Sequence, residues 1–339
     1  MSKRDDPATK LAAKQQVWLM RTAEALQQPL DTVLPLLQLA RKQSVRLNPL
    51  RGDVDKTKAE LAKLHWLGAP YAWAANCYQL AVPVEQIRDS ELVTSGKVFI
   101  QNAASWLPVV ALDPQPGEKI LDVCAAPGGK TSHIAAITDN HAYITANDNS
   151  RARLAKMQAN FGRLNVAPAQ ISLYDATQMG RKLDGESYDK ILLDAPCSGE
   201  GLMHYDRAKD FESWSVAHIK RLSKLQKQIL GQAWYLLKVG GTLIYSTCTM
   251  APEENEVVVD YLLRTHPEAQ VVPFEMQLPN STPALNSWND RTFQPQLQGS
   301  MRLAPSEHVE AFFVCVLRKT DDTFATSVAS SRRMRYDDD

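Results

Sequence analysis

The chain has 339 residues with 38 Lys plus Arg against 38 Asp plus Glu, so its formal net charge is zero, which excludes a protein drawn to nucleic acid or membrane by overall charge alone. A content of 44% hydrophobic and 22% charged residues is that of a globular chain, long enough for about two domains with an ample core. No apolar run approaches the ~20 residues of a membrane span and the opening MSKRDDPATK lacks a signal-peptide core, so a cytoplasmic protein without membrane attachment is expected.

Residues 8–43 place apolar side chains three and four apart, which predicts helices, with Pro29 and Pro35 marking a break. Residues 44–50 alternate, Val45 and Leu47 against Arg46 and Asn48, in the manner of a half-buried strand. The segment 41–51, RKQSVRLNPLR, holds four cations and no acid, so it is either a solvated face or a surface for an anionic partner. A helix over 56–67 and short strands over 71–84 follow. Trp66, Tyr71, Trp73 and Tyr78 suit either a core or stacking on bases. Residues 1–95 thus read as a helical lead-in and a small α+β module.

The segment 96–112, GKVFIQNAASWLPVVAL, reads as a strand or turn and then a helix entering a larger domain. Apolar strands at 119–123, 142–146, 170–173, 190–193 and 242–246 alternate with helices at 131–138, 151–164, 216–237 and 252–265. That alternation predicts an α/β fold with a mostly parallel, doubly wound sheet. Lys220, Arg221, Lys224 and Lys227 stand at helical spacing on the long third helix. The run AFFVCVL at 311–317 predicts a central or near-edge strand, and the polar stretch 320–339 is expected to be disordered.

Chemistry concentrates at KILDVCAAPGGK, 119–130. A short apolar strand with one internal carboxylate, Asp122, runs into a glycine turn and then a helix. Such a turn lets a ligand approach the main chain and leaves N–H groups to receive it. Asp148 ends the next strand, about 20 residues past Gly128, where a carboxylate binds the hydroxyls of an adenosine ribose. A P-loop would need glycine at position 124, which is Cys124, and the adjacent pair Gly128-Gly129 is not a dinucleotide fingerprint. A nucleoside cofactor without a phosphate chain, such as S-adenosylmethionine, fits. Its expected contacts are Cys124, Ala125, Ala126, Pro127, Gly128, Gly129 and Lys130 of the turn, with Asp148, Asp175 and Asp194 from other strand ends. Five cysteines, odd in number and without a Cys-x-x-Cys pair, argue against disulfides and against a metal site. Cys197 and Cys248, however, follow two different strands, so both reach the rim where ligands bind.

LDVCAAPGGKTSHIA, ILLDAPCSGEG and GGTLIYSTCTMAPEENE closely resemble the motifs of the Nol/Nop/Sun family of RNA (cytosine-carbon-5) methyltransferases. The likeness runs from about residue 46 to residue 319, and bacterial members acting on small-subunit ribosomal RNA are closest in arrangement. Asn102 stands where the family usually has an acid, and Ala311 where it has glycine. The resemblance implies a Rossmann-like methyltransferase domain over 96–319, with 1–95 as an RNA-binding module; the charge of the basic segment makes Arg41, Lys42, Arg46 and Arg51 the expected phosphate contacts. The resemblance also implies S-adenosylmethionine as methyl donor and ribosomal RNA, or a pre-ribosomal particle, as substrate, with transfer RNA as the alternative. Cytosine carbon 5 is a poor nucleophile, and a thiolate adding to carbon 6 activates it. By resemblance Cys248 is that nucleophile and Cys197 assists release; Asp194 is the candidate carboxylate for stabilising the protonated base, and Lys130 is expected to face the substrate, the methionine carboxylate or a catalytic carboxylate. Pro252 is expected to start a helix whose dipole assists Cys248, with Glu253 and Glu254 opposing it. A monomer without metal is expected. A non-catalytic RNA-binding assembly factor is the remaining alternative, and it should have lost one of the glycines, Asp148, Asp194 or Cys248; all are present.

Overall fold

The computed structural model describes residues 6–167, 170–276 and 278–320. The polar stretch expected to be disordered lies outside them, apart from Thr320. Two helices, α1 (Pro7–Leu26) and α2 (Leu30–Gln38), open the chain, and their stripe of Trp18, Ala23, Val33 and Leu37 packs on Phe211, Trp214 and Met250. The lead-in therefore docks on the large domain. Pro29 caps α2, but Pro35, expected to mark a break, lies inside the helix. The hydrogen bond a proline removes is offset by burial of Val33 and Leu37 on either side of it.

Four short strands, β1 (Ser44–Leu47), β2 (Leu67–Pro70), β3 (Cys77–Leu80) and β4 (Val98–Ile100), pair antiparallel in the order β2-β3-β1-β4. With helices α3 (Val54–Lys63), α4 (Val84–Ile87) and α5 (Glu91–Thr94) they enclose a separate core of Val45, Leu47, Leu61, Leu80, Ile87 and Val98. Because β4 belongs to this sheet, the small module's sheet continues to Ile100, past residue 95. Tyr71, one of the aromatics with two readings, packs edge-on against Trp106 with ring centroids 5.3 Å apart.

The expectation of a half-buried β1 is corrected: all four of its residues are buried, and so is Asn48 beyond it. The cause is tertiary. The face opposite the small core lies against the large domain, where Arg46 donates to Ser132 Oγ at 2.8 Å. Asn48 donates to the carbonyls of Gly96 and Leu164, both at 2.9 Å. Arg51 donates to the carbonyl of Arg163 at 2.7 Å, Arg41 to that of Gly201, and Lys42 pairs with Glu307 at 2.7 Å. Three cations of the segment expected to hold phosphates are tied to other groups of the protein, and Arg46, 1% exposed, is out of reach of RNA, whereas Lys42 stays exposed beside Glu307.

Helix α6 (Leu107–Leu112) leads into the large domain. There follow β5 (Lys119–Asp122), α7 (Gly129–Ile137), β6 (Tyr143–Asn147), α8 (Arg151–Leu164), β7 (Gln170–Ser172), β8 (Tyr188–Asp194), α9 (Val216–Leu236) and β9 (Leu237–Thr247). After α10 (Glu256–Thr265) come β10 (Ala269–Val272), β11 (Ser281–Pro283), the pair β12 (Ser287–Trp288) and β13 (Arg291–Thr292), β14 (Met301–Leu303) and β15 (Phe312–Lys319). Strands β9-β8-β5-β6-β7 are parallel neighbours. β15 runs antiparallel beside β9, and its other edge takes β14 and then β10, with β11 outside β14. Consecutive residues face opposite layers: Leu121, Ile191 and Leu243 pack with α9 and α10, while Ile120, Leu192 and Ile244 pack with α6 and α7. Burial on both faces is why these strands read as unbroken apolar runs. The chain leaves β7 and returns on the far side of β5 as β8, so the β5/β8 junction is the switch point where such sheets bind ligands. Among the described residues no helix is long and apolar enough to cross a membrane.

Candidate active site

A cavity of about 250 Å³ opens at that junction. Asp122, Cys124, Ala125, Ala126, Pro127, Gly129 and Lys130 line it from the glycine turn, and Asp194 from the end of β8. The small module closes the far wall with Phe99, Gln101 and Asn102, the last being the position where the family resemblance suggests an acid. Gly128 does not line the cavity. It sits at φ +96° as the N-cap of α7, and a Cβ there would lie 2.7 Å from Phe161 Cε1 and 2.9 Å from Met157 Cγ. Its glycine character is required by the turn and by α8, whereas Gly129 carries the close approach to the cavity. No side chain caps the N-terminus of α7, so that helix end presents main-chain donors toward an anionic group.

Two carboxylates stand at strand ends with capacity to spare. Asp148 is buried; Oδ1 accepts from the Ser150 N–H at 3.0 Å, and Oδ2 lies 3.1 Å from the Arg153 guanidinium without a hydrogen bond. Asp122 Oδ2 accepts from Thr131 Oγ1 at 2.6 Å, and its Oδ1 has no partner. Burial pushes Asp122 up to about 7, against the lowering effects of Thr131 and Lys130. Orphaned acceptors at these strand ends, with an uncapped helix N-terminus between them, suit a ligand with ribose hydroxyls, an ammonium and a carboxylate. S-adenosylmethionine is such a ligand. Asp175 is not brought to the cavity: it is exposed, and its Oδ1 accepts from the Thr177 N–H at 2.9 Å and Oγ1 at 2.8 Å.

Lys130 reaches across the cavity floor to Asp194, Nζ to Oδ2 2.6 Å, and Ser246 Oγ donates to Asp194 Oδ1 at 2.9 Å. Burial alone would pull the Lys130 ammonium down, but the Asp194 and Asp122 carboxylates outweigh it and hold it above its ordinary value. Beyond this pair lie the two thiols. Cys197 Sγ and Cys248 Sγ are 3.2 Å apart, a hydrogen-bonding distance for thiols. The hydrogen bond with Cys248, burial, and the carboxylates of Glu254 and Asp194 push the Cys197 thiol well above its ordinary value.

The expected helix at Pro252 is corrected, since α10 begins only at Glu256, and no helix dipole is aimed at Cys248 from there. The three intervening polar residues, and Glu256 at the helix start, are interior groups instead. Glu253 pairs with Arg21 at 2.7 Å, Glu256 takes the Arg302 guanidinium with both oxygens, and Asn255 donates to the Thr249 carbonyl at 3.0 Å. Glu254, fully buried, accepts from Ser198 and Gln226, and burial with Glu200 alongside pushes it up to about 7. Sequence reading missed Glu254 because acids after a proline look like a solvated first helical turn. Asp122 offered a better clue, a carboxylate interrupting an apolar strand.

The family model for 16S rRNA methyltransferase RsmB/F matches residues 109–318. The chain belongs to the RsmB/F family. An RsmB/F relative, ribosomal RNA small subunit methyltransferase F of Cronobacter sakazakii, is 33% identical over 312 residues, 89% of this chain and 62% of the relative. The chain thus spans less than two thirds of that relative's length. A tRNA (cytosine(49)-C(5))-methyltransferase of Pyrococcus abyssi is 34% identical over 281 residues, 82% of this chain and 88% of the relative. A solved structure described as a methyltransferase homologue protein from Pyrococcus horikoshii superposes with a TM-score of 0.72 at 32% identity, covering 88% of this chain and 90% of that one. RsmB/F membership and this superposition agree with the Rossmann-like methyltransferase fold expected from the motifs.

Proposed function

We propose that this RsmB/F chain is an S-adenosylmethionine-dependent RNA (cytosine-carbon-5) methyltransferase acting on ribosomal RNA through a covalent cysteine–cytosine adduct. The observation that carries the reading is the placement of two thiols 3.2 Å apart beside the Lys130–Asp194 pair that lines the cavity. Cys124, Ala125, Ala126, Pro127, Gly129 and Lys130 would hold the amino-acid end of S-adenosylmethionine, with Gly128 shaping the turn. Asp148 would take the ribose and Asp194 a flank, while Asp175, exposed and engaged with Thr177, is left out of the cofactor site. When bound, the cofactor supplies an electrophilic methyl group.

The protein's own groups then act in order. Cys248 Sγ adds to carbon 6 of the cytosine, which turns carbon 5 into a nucleophile. Asp194, held by Lys130 and Ser246, stabilises the proton gained at N3 or the exocyclic amine. After methylation a base takes the carbon 5 proton, the electron pair left behind re-forms the 5,6 double bond and expels the Cys248 thiolate from carbon 6, and Cys197 assists that release. The reading assigns this chemistry to residues 96–319 and RNA contact to residues 1–95, in a cytoplasmic monomer that uses no metal.

A second reading, methylation of transfer RNA, is favoured by the match over 88% of the length of the tRNA enzyme of Pyrococcus abyssi. Purified protein with methyl-labelled S-adenosylmethionine should label a cytosine in small-subunit ribosomal RNA, located by bisulfite sequencing; label in transfer RNA alone would select the second reading. Cys197→Ala should trap RNA in a denaturant-resistant complex, and Cys248→Ala should trap none. The reverse pattern would exchange the two roles. No label and no adduct with any RNA would leave only the assembly factor.

A further inference from the structure

Two cysteines on separate strands meet only if both chain segments after those strands are held. The main chain ties them twice, by the Ala195 N–H donating to the Ser246 carbonyl at 2.9 Å and the Gly201 N–H donating to the Cys248 carbonyl at 2.9 Å. Between these points residues 196–200 arch away, and the arch carries Cys197. The carboxylate of Glu254 lies under it. Glu254 Oε2 accepts from the Ser198 N–H at 2.9 Å and from Gln226 Nε2 at 2.8 Å, and Gln226 Nε2 also reaches the Pro196 carbonyl at 2.9 Å. Glu254 Oε1 accepts from the Ser198 hydroxyl and faces Thr249 Oγ1 at 3.3 Å. Ser198 is the residue after Cys197, and Thr249 is the residue after Cys248.

We propose that Glu254 is a positioning residue, whose side chain clamps the residue following each cysteine and thereby sets the two sulfurs at reacting distance. A carboxylate suits the task because two oxygens with several lone pairs can collect donors from three segments at once. Glu254 is too deep to touch substrate and acts through Ser198 and Thr249, with Gln226 linking it to the Pro196 carbonyl. Its importance for catalysis rests on the methyltransferase reading, but its importance for thiol geometry does not.

The closing experiment uses that separation. In the folded protein without RNA or cofactor, diamide takes up two electrons and two protons as the Cys197 and Cys248 thiols join in a disulfide. The rate of this cross-link, followed by peptide mass spectrometry, reports how closely the sulfurs are held. Glu254→Ala should slow it about tenfold and lower kcat by about tenfold to hundredfold, with KM for RNA and cofactor within about twofold. Glu254→Gln should bring both quantities back to within about threefold of wild type, because its carbonyl keeps the Ser198 and Gln226 donors and its amide can donate to the two hydroxyls. If Glu254→Ala does not fold, the double variant Ser198→Ala, Thr249→Val takes its place, with slower cross-linking again expected. Cross-linking at the wild-type rate in whichever of these folds, or a Gln variant no better than a folded Ala variant, would overturn the clamp. Cross-linking that depends on Glu254 in a protein that methylates no RNA would leave the clamp standing and remove the methyltransferase reading.

Discussion

Asp122 shows how one side chain can carry both a ligand role and a stability cost. Its carboxyl is pushed from 3.8 to about 7, first by burial, so the folded protein holds that proton more tightly than the unfolded chain. Such a group stabilises the fold where it is protonated in both states, below its unfolded value. Stability then declines as pH rises through the window from about 4 to about 7, and the deficit is constant above it. Asp122→Asn keeps an acceptor for Thr131 and removes the ionisation. Without cofactor it should therefore melt at a higher temperature than wild type near pH 8 and at the same temperature near pH 4. Equal melting at both values would mean the buried carboxylate is already satisfied when charged. The strand sequence KILD displays this residue openly, whereas Glu254 hides among acids that look solvated. Only the packing of α9 and the 195–201 loop over Glu254 tells the two cases apart.

The turn between β5 and α7 is read correctly as a glycine turn, but its glycines divide the labour in a way no local pattern gives. Gly128 must be glycine because of its positive φ and because α8 presses Phe161 and Met157 against it. Gly128→Ala should cost about 2–4 kcal/mol, from a left-handed backbone forced on alanine together with overpacking against α8. Urea unfolding would register this as a lower midpoint at unchanged slope. A loss below about 0.5 kcal/mol would show that α8 moves aside freely. Helix α10 carries the complementary lesson. Its start was expected at Pro252 from proline's preference for a first turn, yet residues 252–255 turn inward to give Glu253, Glu254 and Asn255 their buried partners. Tertiary pairing of three polar side chains outweighs a local preference for continuing the helix.

The largest revision concerns how the two parts of the molecule meet. Arg46 and Asn48 of the alternating strand, with Arg51 beyond it, fasten the small module to the large domain through Ser132 and the carbonyls of Leu164 and Arg163. Arg51→Ala should therefore lower stability by about 1–2 kcal/mol through two lost hydrogen bonds to main-chain carbonyls, Arg163 and Gly162. It should leave the salt dependence of RNA binding unchanged. A phosphate contact would instead reduce the log-log salt slope by about one per cation removed, and such a drop would return Arg51 to the RNA surface. Cations that remain exposed, Lys220 and Arg221 on α9 among them, are the ones left to test for RNA contact.

The sequence by itself determined the parallel strands, the helices between them and the glycine turn, because apolar periodicity and turn chemistry are local properties of the chain. It also placed Asp148, Asp194, Cys197 and Cys248 at the ligand-binding rim, since each directly ends or follows a strand whose direction the βα alternation dictates. Of the antiparallel strands after α10, β15 was legible as the apolar run 311–317, but β11 and β14 were not: they are only three residues long, and pairing with neighbours distant in sequence decides them. Tertiary structure alone decided that Arg46 is interior and that Arg41 and Arg51 are spent on main-chain carbonyls, that Asp175 caps a turn away from the cavity, and that the sulfurs stand 3.2 Å apart over Glu254. A polar side chain faces water or a buried partner according to what a distant segment lays across it, and nothing in its own neighbourhood of sequence encodes that segment's position.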